Sequence, residues 1–133
     1  MSDNDSPPNL DEVREQVNKF VRGTGPLIIG AILAESGPMH GYALVQAIKA
    51  RSEDTLALGE GTVYPLLRIM EAQGLVDSDW ETPSTGHTRH ARKIFRLTDK
   101  GSRAFSQQKD AFSVFADAIA RLIRKGDKTN EAT

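Results

Sequence analysis

Six basic side chains, Arg89, Arg92, Lys93, Arg96, Lys100 and Arg103, share one short stretch with a single carboxylate, Asp99. This local excess of positive charge suits the holding of phosphates, yet the chain's net charge is only −1, because acidic residues gather elsewhere. Asp3, Asp5, Asp11, Glu12 and Glu15 crowd the beginning, and Glu71, Asp77, Asp79 and Glu81 precede the basic run. The near-neutral total argues against a nucleic-acid binder, whereas the segregation argues for one localised anion-binding face. A second set, Thr62, Tyr64, Pro65 and Arg68, follows the turn made by Gly59 and Gly61. At helical spacing it opposes the apolar row Val63, Leu66, Leu67 and Met70. A hydroxyl, a phenol and a guanidinium therefore face outward, where they can reach phosphates or base edges. The first turn of the same helix adds unpaired backbone N–H groups, which attract anions. Ordinary turn and surface chemistry is the plainer reading; an exposed tyrosine beside a glycine-rich turn weighs against it. Pro65 fixes the first turn, and Gly61 serves conformation first and close backbone approach second.

Catalysis has little to stand on. The chain has no cysteine and three histidines, which excludes disulfides, thiolate metal sites and a thiol nucleophile. It lacks a Gly-x-Ser-x-Gly elbow and a phosphate loop, so no enzyme and no cofactor are expected. His87 and His90 have a spacing that invites a metal, but no third ligand is placed to complete a site. With no apolar run near the roughly 18 residues of a membrane span and no basic leader, a soluble cytoplasmic protein is expected.

The elements that must position these residues follow from periodicity. At 133 residues one small domain is expected. Residues 1–8 and 126–133 read as disordered tails. Residues 9–25 form an N-terminal helix, opened by Asn9 and Glu12 as a capping box and closed by Gly23 and Gly25. Pro26 starts a buried central helix that ends at Gly37. A third helix spans about His40 to Arg51, and Leu56-Ala57-Leu58 permits a strand stub. The helix from Thr62 to Gln73 ends at Gly74 in the left-handed conformation. Two strands follow, the first with Val76, Ser78 and Trp80 on one of its faces and the second with Lys93, Phe95 and Leu97 on one of its own, joined by a loop around Pro83 to Gly86. Thr98 caps a last helix, residues 99–125. Its seam of Phe105, Gln108, Phe112, Phe115, Ile119 and Leu122, beside Ala104, Ala111 and Ala118, is too long to be buried within the domain. A second copy of the chain is its expected cover, with the N-terminal helix alongside; a different protein partner is the competitor. The fold class is mainly α with a small β-wing: a winged helix-turn-helix over residues 26–98, flanked by N- and C-terminal dimerisation helices.

Three blocks in order make the chain resemble the PadR-like transcriptional regulators, in their subgroup with a single C-terminal helix. They are His40-Gly41-Tyr42; Leu58-Gly59-Glu60-Gly61-Thr62-Val63-Tyr64-Pro65-Leu66-Leu67 with Glu71 and Gly74-Leu75-Val76; and Lys93-Ile94-Phe95-Arg96-Leu97-Thr98-Asp99-Lys100-Gly101. The resemblance implies a dimeric repressor that binds a pseudo-palindromic operator on double-stranded DNA. It implies release by a small, aromatic or drug-like effector near the dimer interface. Ile69 departs from a basic position of the family, Phe95 from a common tyrosine, and the wing tip from Gly86 to Ala91 is longer than usual. Tyr42 offers its hydroxyl to a phosphate or packs in the core. Arg89, Arg92 and Lys93 are the wing's candidates for backbone contacts, while Arg96 shares a face with Asp77 and Asp79 and can pair with them instead. Phe112 and Phe115 belong to the dimer core with Phe105, Ala118, Ile119 and Leu122, and are the candidate effector walls. Trp80 reads as structural. The rival functions are a winged-helix module for protein interaction and a DNA architect without a ligand.

Overall fold

Asn9 lies in extended backbone, and its side chain accepts a hydrogen bond from the Glu12 N–H at 2.8 Å, which starts α1 (Leu10–Lys19). The structure is a computed structural model that describes residues 9–81 and 92–127. No residue of α1 is buried, and Leu10 and Phe20 stand in the open. The sequence places the first break at Gly23 and Gly25; it falls instead at Phe20, and α2 (Val21–Ser36) runs straight through both glycines and Pro26. Packing explains why. A Cβ at Gly25 would stand 2.8 Å from Leu66 Cδ1, and one at Gly30 would stand 2.8 Å from Phe105 Cδ1. These glycines let other elements approach α2, and the contacts offset their cost of about 1 kcal/mol each in helix propensity.

The strand stub also lies elsewhere than expected. Residues 56–58 form no strand; Leu58 is buried in the core instead. The short strand is β1 (Met39–His40), just ahead of α3 (Gly41–Arg51). Then come α4 (Glu60–Ala72), β2 (Val76–Trp80), β3 (Lys93–Leu97) and α5 (Asp99–Asp127). The sheet has the order β1-β3-β2 and is antiparallel throughout. Register pairs Val76 with Leu97, Ser78 with Phe95 and Trp80 with Lys93 on one face, and Asp77 with Arg96 on the other. The core is the contact of α2, α3, α4 and this sheet: Ile29, Leu44, Ile48, Val63, Leu67 and Val76 are its largest fully buried side chains.

Thr98 joins three elements. Its hydroxyl donates to the Gly74 carbonyl at 2.6 Å and accepts from the Gly101 N–H at 3.0 Å, so one side chain caps α5 and holds the end of α4. Gly74 has φ +76°, the left-handed turn that glycine adopts without strain. Lys100 Nζ donates to the Gln73 carbonyl at 2.8 Å, satisfying the last turn of α4. The first turns of α5 lie on α2, but beyond them the apolar stripe is uncovered, with Phe115 61 % and Leu122 69 % exposed. The helix is 29 residues long, about 43 Å at 1.5 Å per residue. No helix among the described residues is long and apolar enough to cross a membrane.

Candidate nucleic-acid interface

Helix α4 buries Val63, Leu67 and Met70 and leaves Gly61, Thr62, Pro65, Arg68 and Ile69 exposed. Its N-cap, Gly59, supplies no side-chain hydrogen bond; the Gly59 carbonyl accepts from the Thr62 and Val63 N–H groups at 3.0 Å each, which leaves those of Glu60 and Gly61 outside the helix's own ladder. The expected outward row is divided. Thr62 borders a crevice shared with Arg22 and Leu66 at the junction of α1 and α2. Tyr64 is half-buried, and its ring lies directly against Gly41 at the start of α3. Tyr42, one residue on, is 59 % exposed, so of its two readings the core position is excluded.

A groove of about 930 Å³ separates α4 from the β2–β3 wing. Tyr42, Tyr64 and Arg68 line it on the helical side, and Trp80, Arg92 and Lys93 on the wing side. The structure thus brings five of the sequence-predicted residues together, leaves Thr62 beside another crevice, and adds Trp80. Arg89 lies outside the described residues, as do His87 and His90. Alternation along β2 puts Trp80 on the face of Val76 and Ser78, and from sequence it reads as structural. Its exposure was not legible there, because that depends on how far the wing extends past the core.

The basic run is divided by its surroundings. Arg96 Nη1 donates to Asp77 Oδ1 at 3.1 Å and to Asp79 Oδ2 at 2.8 Å across the hairpin. The hydrogen bond to Asp79 foremost, with the charge of both carboxylates, holds the Arg96 guanidinium above its ordinary pKa. Lys100 is engaged with the end of α4. Arg92 and Lys93 form no ion pair among the described residues and stand on the groove side. His40 Nε2 and Glu81 Oε2, 2.9 Å apart, tie β1 to the end of β2. No cluster of His, Asp and Glu among the described residues could hold a metal ion.

The profile described as the transcriptional regulator PadR-like family matches residues 29–107. The chain belongs to the PadR-like family. The PadR family transcriptional regulator of Eggerthella lenta is 31 % identical, with a TM-score of 0.70 over 85 % of this chain and 93 % of that one. A PadR-like regulator of Bacillus cereus shares the fold at 23 % identity and a TM-score of 0.66, over 79 % and 96 % of the two chains. Bacillus subtilis PadR, solved in complex with operator DNA, is similar at 19 % identity and a TM-score of 0.55, over 62 % of this chain and 45 % of that one. No curated protein sequence matches the chain. The PadR-like match covers the winged helix and the root of α5, and leaves outside it α1 and most of the uncovered stripe of α5.

On that stripe the Phe112 and Phe115 rings are 6.4 Å apart and tilted by 47°, both exposed, as are Ile119 and Leu122; Ala118 is half-buried. Phe105, expected at the same interface, is instead packed on Gly30 within its own chain. Close contact of α5 with α2 at that level takes it out of the exposed seam.

Proposed function

We propose that this PadR-like chain is a dimeric repressor that places α4 in the major groove of a pseudo-palindromic operator and rests its wing on the flanking backbone. The observation that carries the reading is that the exposed Arg68 of α4 and the wing's exposed Arg92 and half-buried Lys93 line one groove, with no ion pair to any of the three among the described residues. Arg89, three residues before Arg92 in the sequence, is a further cation of this reading. Thr62, Tyr42 and the backbone of Gly61 serve the helix-side contacts; Pro65 lies inside α4 and not in its first turn as expected, and is exposed three residues before Arg68 on the same face. That Bacillus subtilis PadR has been crystallised on operator DNA supports the same use of the shared fold.

Dimerisation rests on the two uncovered apolar faces. The Phe112, Phe115, Ala118, Ile119 and Leu122 stripe of α5 meets its counterpart in a second copy, with α1 packed alongside, and two-fold symmetry then dictates an inverted repeat in the DNA. Phe112 and Phe115 provide aromatic walls for a flat effector whose binding there changes the spacing of the two reading helices. Selection of bound duplexes from a random pool tests the reading. An enriched inverted repeat supports it, and no enrichment by a folded protein favours a winged helix that binds other proteins. A panel of flat aromatic compounds added to the selected duplex complex tests the effector, which predicts release by at least one.

A further inference from the structure

Trp80 is the chain's only tryptophan, and it stands 63 % exposed at the end of β2. Its indole offers both apolar area and a face that attracts cations. Register places it opposite Lys93, whose Nζ lies 5.6 Å from the centre of the indole ring, within range of a cation–π contact. The pair forms the wing-side wall of the groove that Tyr64 and Arg68 bound from the other side. Glu60 and Glu71 also line it, but Glu71 already accepts a hydrogen bond from Ser78 Oγ at 2.7 Å. Arg68, Arg92 and Lys93 pair with none of the described carboxylates.

We propose that this groove seats one sugar–phosphate strand of the duplex, and that Trp80 is the positioning residue that holds the Lys93 ammonium toward a phosphate while its ring edge packs on deoxyribose. The inference rests on the DNA-binding reading above and adds to it the occupant of the groove and a role for the indole. Three considerations select this occupant. The groove is continuous with the exposed face of α4; of its charged groups without a partner among the described residues, three are cations, Arg68, Arg92 and Lys93, against the single carboxylate of Glu60; and its walls are aromatic, which suits the sugars between the phosphates. A lysine free to sweep through solvent loses rotamer entropy on binding, and a ring beneath the ammonium reduces that loss.

The test uses the full chain, a duplex that it binds, and the variants Trp80→Leu, Trp80→Phe and Lys93→Gln, each titrated over a range of salt. Lys93→Gln makes the slope of log affinity against log salt shallower by about 0.9, one phosphate contact. Trp80→Leu shifts the slope in the same direction and weakens binding roughly two- to five-fold, the scale of an exposed cation–π contact. Trp80→Phe retains most of the wild-type behaviour, and Lys93→Gln combined with Trp80→Leu is no weaker than Lys93→Gln by more than the sugar contact. In the wild type, bound duplex shields the Trp80 emission from acrylamide. Duplex binding that leaves Trp80 as accessible as before, or a Trp80→Leu slope equal to wild type, overturns the groove proposal and leaves the DNA-binding reading standing. Failure of the folded wild type to bind any duplex overturns both.

Discussion

Gly41 and Tyr64 touch across the angle between α3 and α4: a Cβ on Gly41 would stand 2.6 Å from the Tyr64 hydroxyl oxygen. The glycine between His40 and Tyr42 is therefore a packing requirement, set by the ring that the next helix lays over it. Gly41→Ala is expected to force α4 away from α3, with an overpacking cost of about 1–3 kcal/mol. Thermal melting should register the loss, and duplex affinity should fall with it because the displaced helix is the one proposed to enter the major groove. An unchanged melting curve and affinity would show that Tyr64 yields freely.

Arg96 separates charge counting from geometry. Sequence position puts it in the basic run, but both of its carboxylate partners lie across the hairpin at hydrogen-bond distance. Arg96→Gln should leave the salt dependence of duplex binding unchanged, whereas Arg68→Gln should flatten it by about one contact, 0.9 in slope. The raised pKa keeps Arg96 charged in the fold wherever it is charged unfolded, so what it adds to stability is full below its ordinary value and is lost only as pH rises past its folded one. A denaturation series between pH 5 and 9 should show no step from this group.

Much of this arrangement is legible in the residues. The spacing of Val63, Leu67 and Met70 defines the buried face of α4, and the alternation Val76, Ser78, Trp80 gives one face of β2. Asn9, Thr98 and Gly74 mark element ends through local hydrogen bonding and backbone preference, which depend on near neighbours only. What escaped depends on distant ones. Two residues, Met39 and His40, form a strand because β3 lies beside them, and a pair has no periodicity to detect. Gly25 reads as a helix end until Leu66 is seen filling the space above it. Phe105 continues the α5 seam perfectly in sequence, and only the approach of α2 removes it from the exposed part.

The junction of β2 and α5 tolerates no side chain at Gly101, where a Cβ would collide with the Leu75 carbonyl oxygen. Gly101→Ala should cost about 1–3 kcal/mol or more, and at roughly 3–4 °C per kcal/mol for a chain of this length the Tm drop is easily measured. Thr98→Val removes the hydroxyl that serves both Gly74 and Gly101 and should cost about 1 kcal/mol as a lost cap.

The uncovered stripe of α5 makes the oligomer testable without DNA. Phe115→Asp with Ile119→Asp places two charges where the proposed dimer buries apolar surface, and both sites are exposed within the chain. Sedimentation should change from dimer to monomer while the far-ultraviolet spectrum of the winged helix is retained, and operator affinity should fall because a monomer holds one half-site. A wild type that sediments as a monomer would remove the basis for an inverted repeat.

The most direct test of the central claim, that the α4 face and the wing groove read duplex DNA, is fluorescence anisotropy with a labelled duplex from upstream of the protein's own gene. A scrambled duplex serves as the comparison, at low and near-physiological salt. Preferential binding of the upstream duplex, weakening as salt rises, is the predicted result. Equal binding of the two duplexes, or binding of neither by a folded protein, would contradict it.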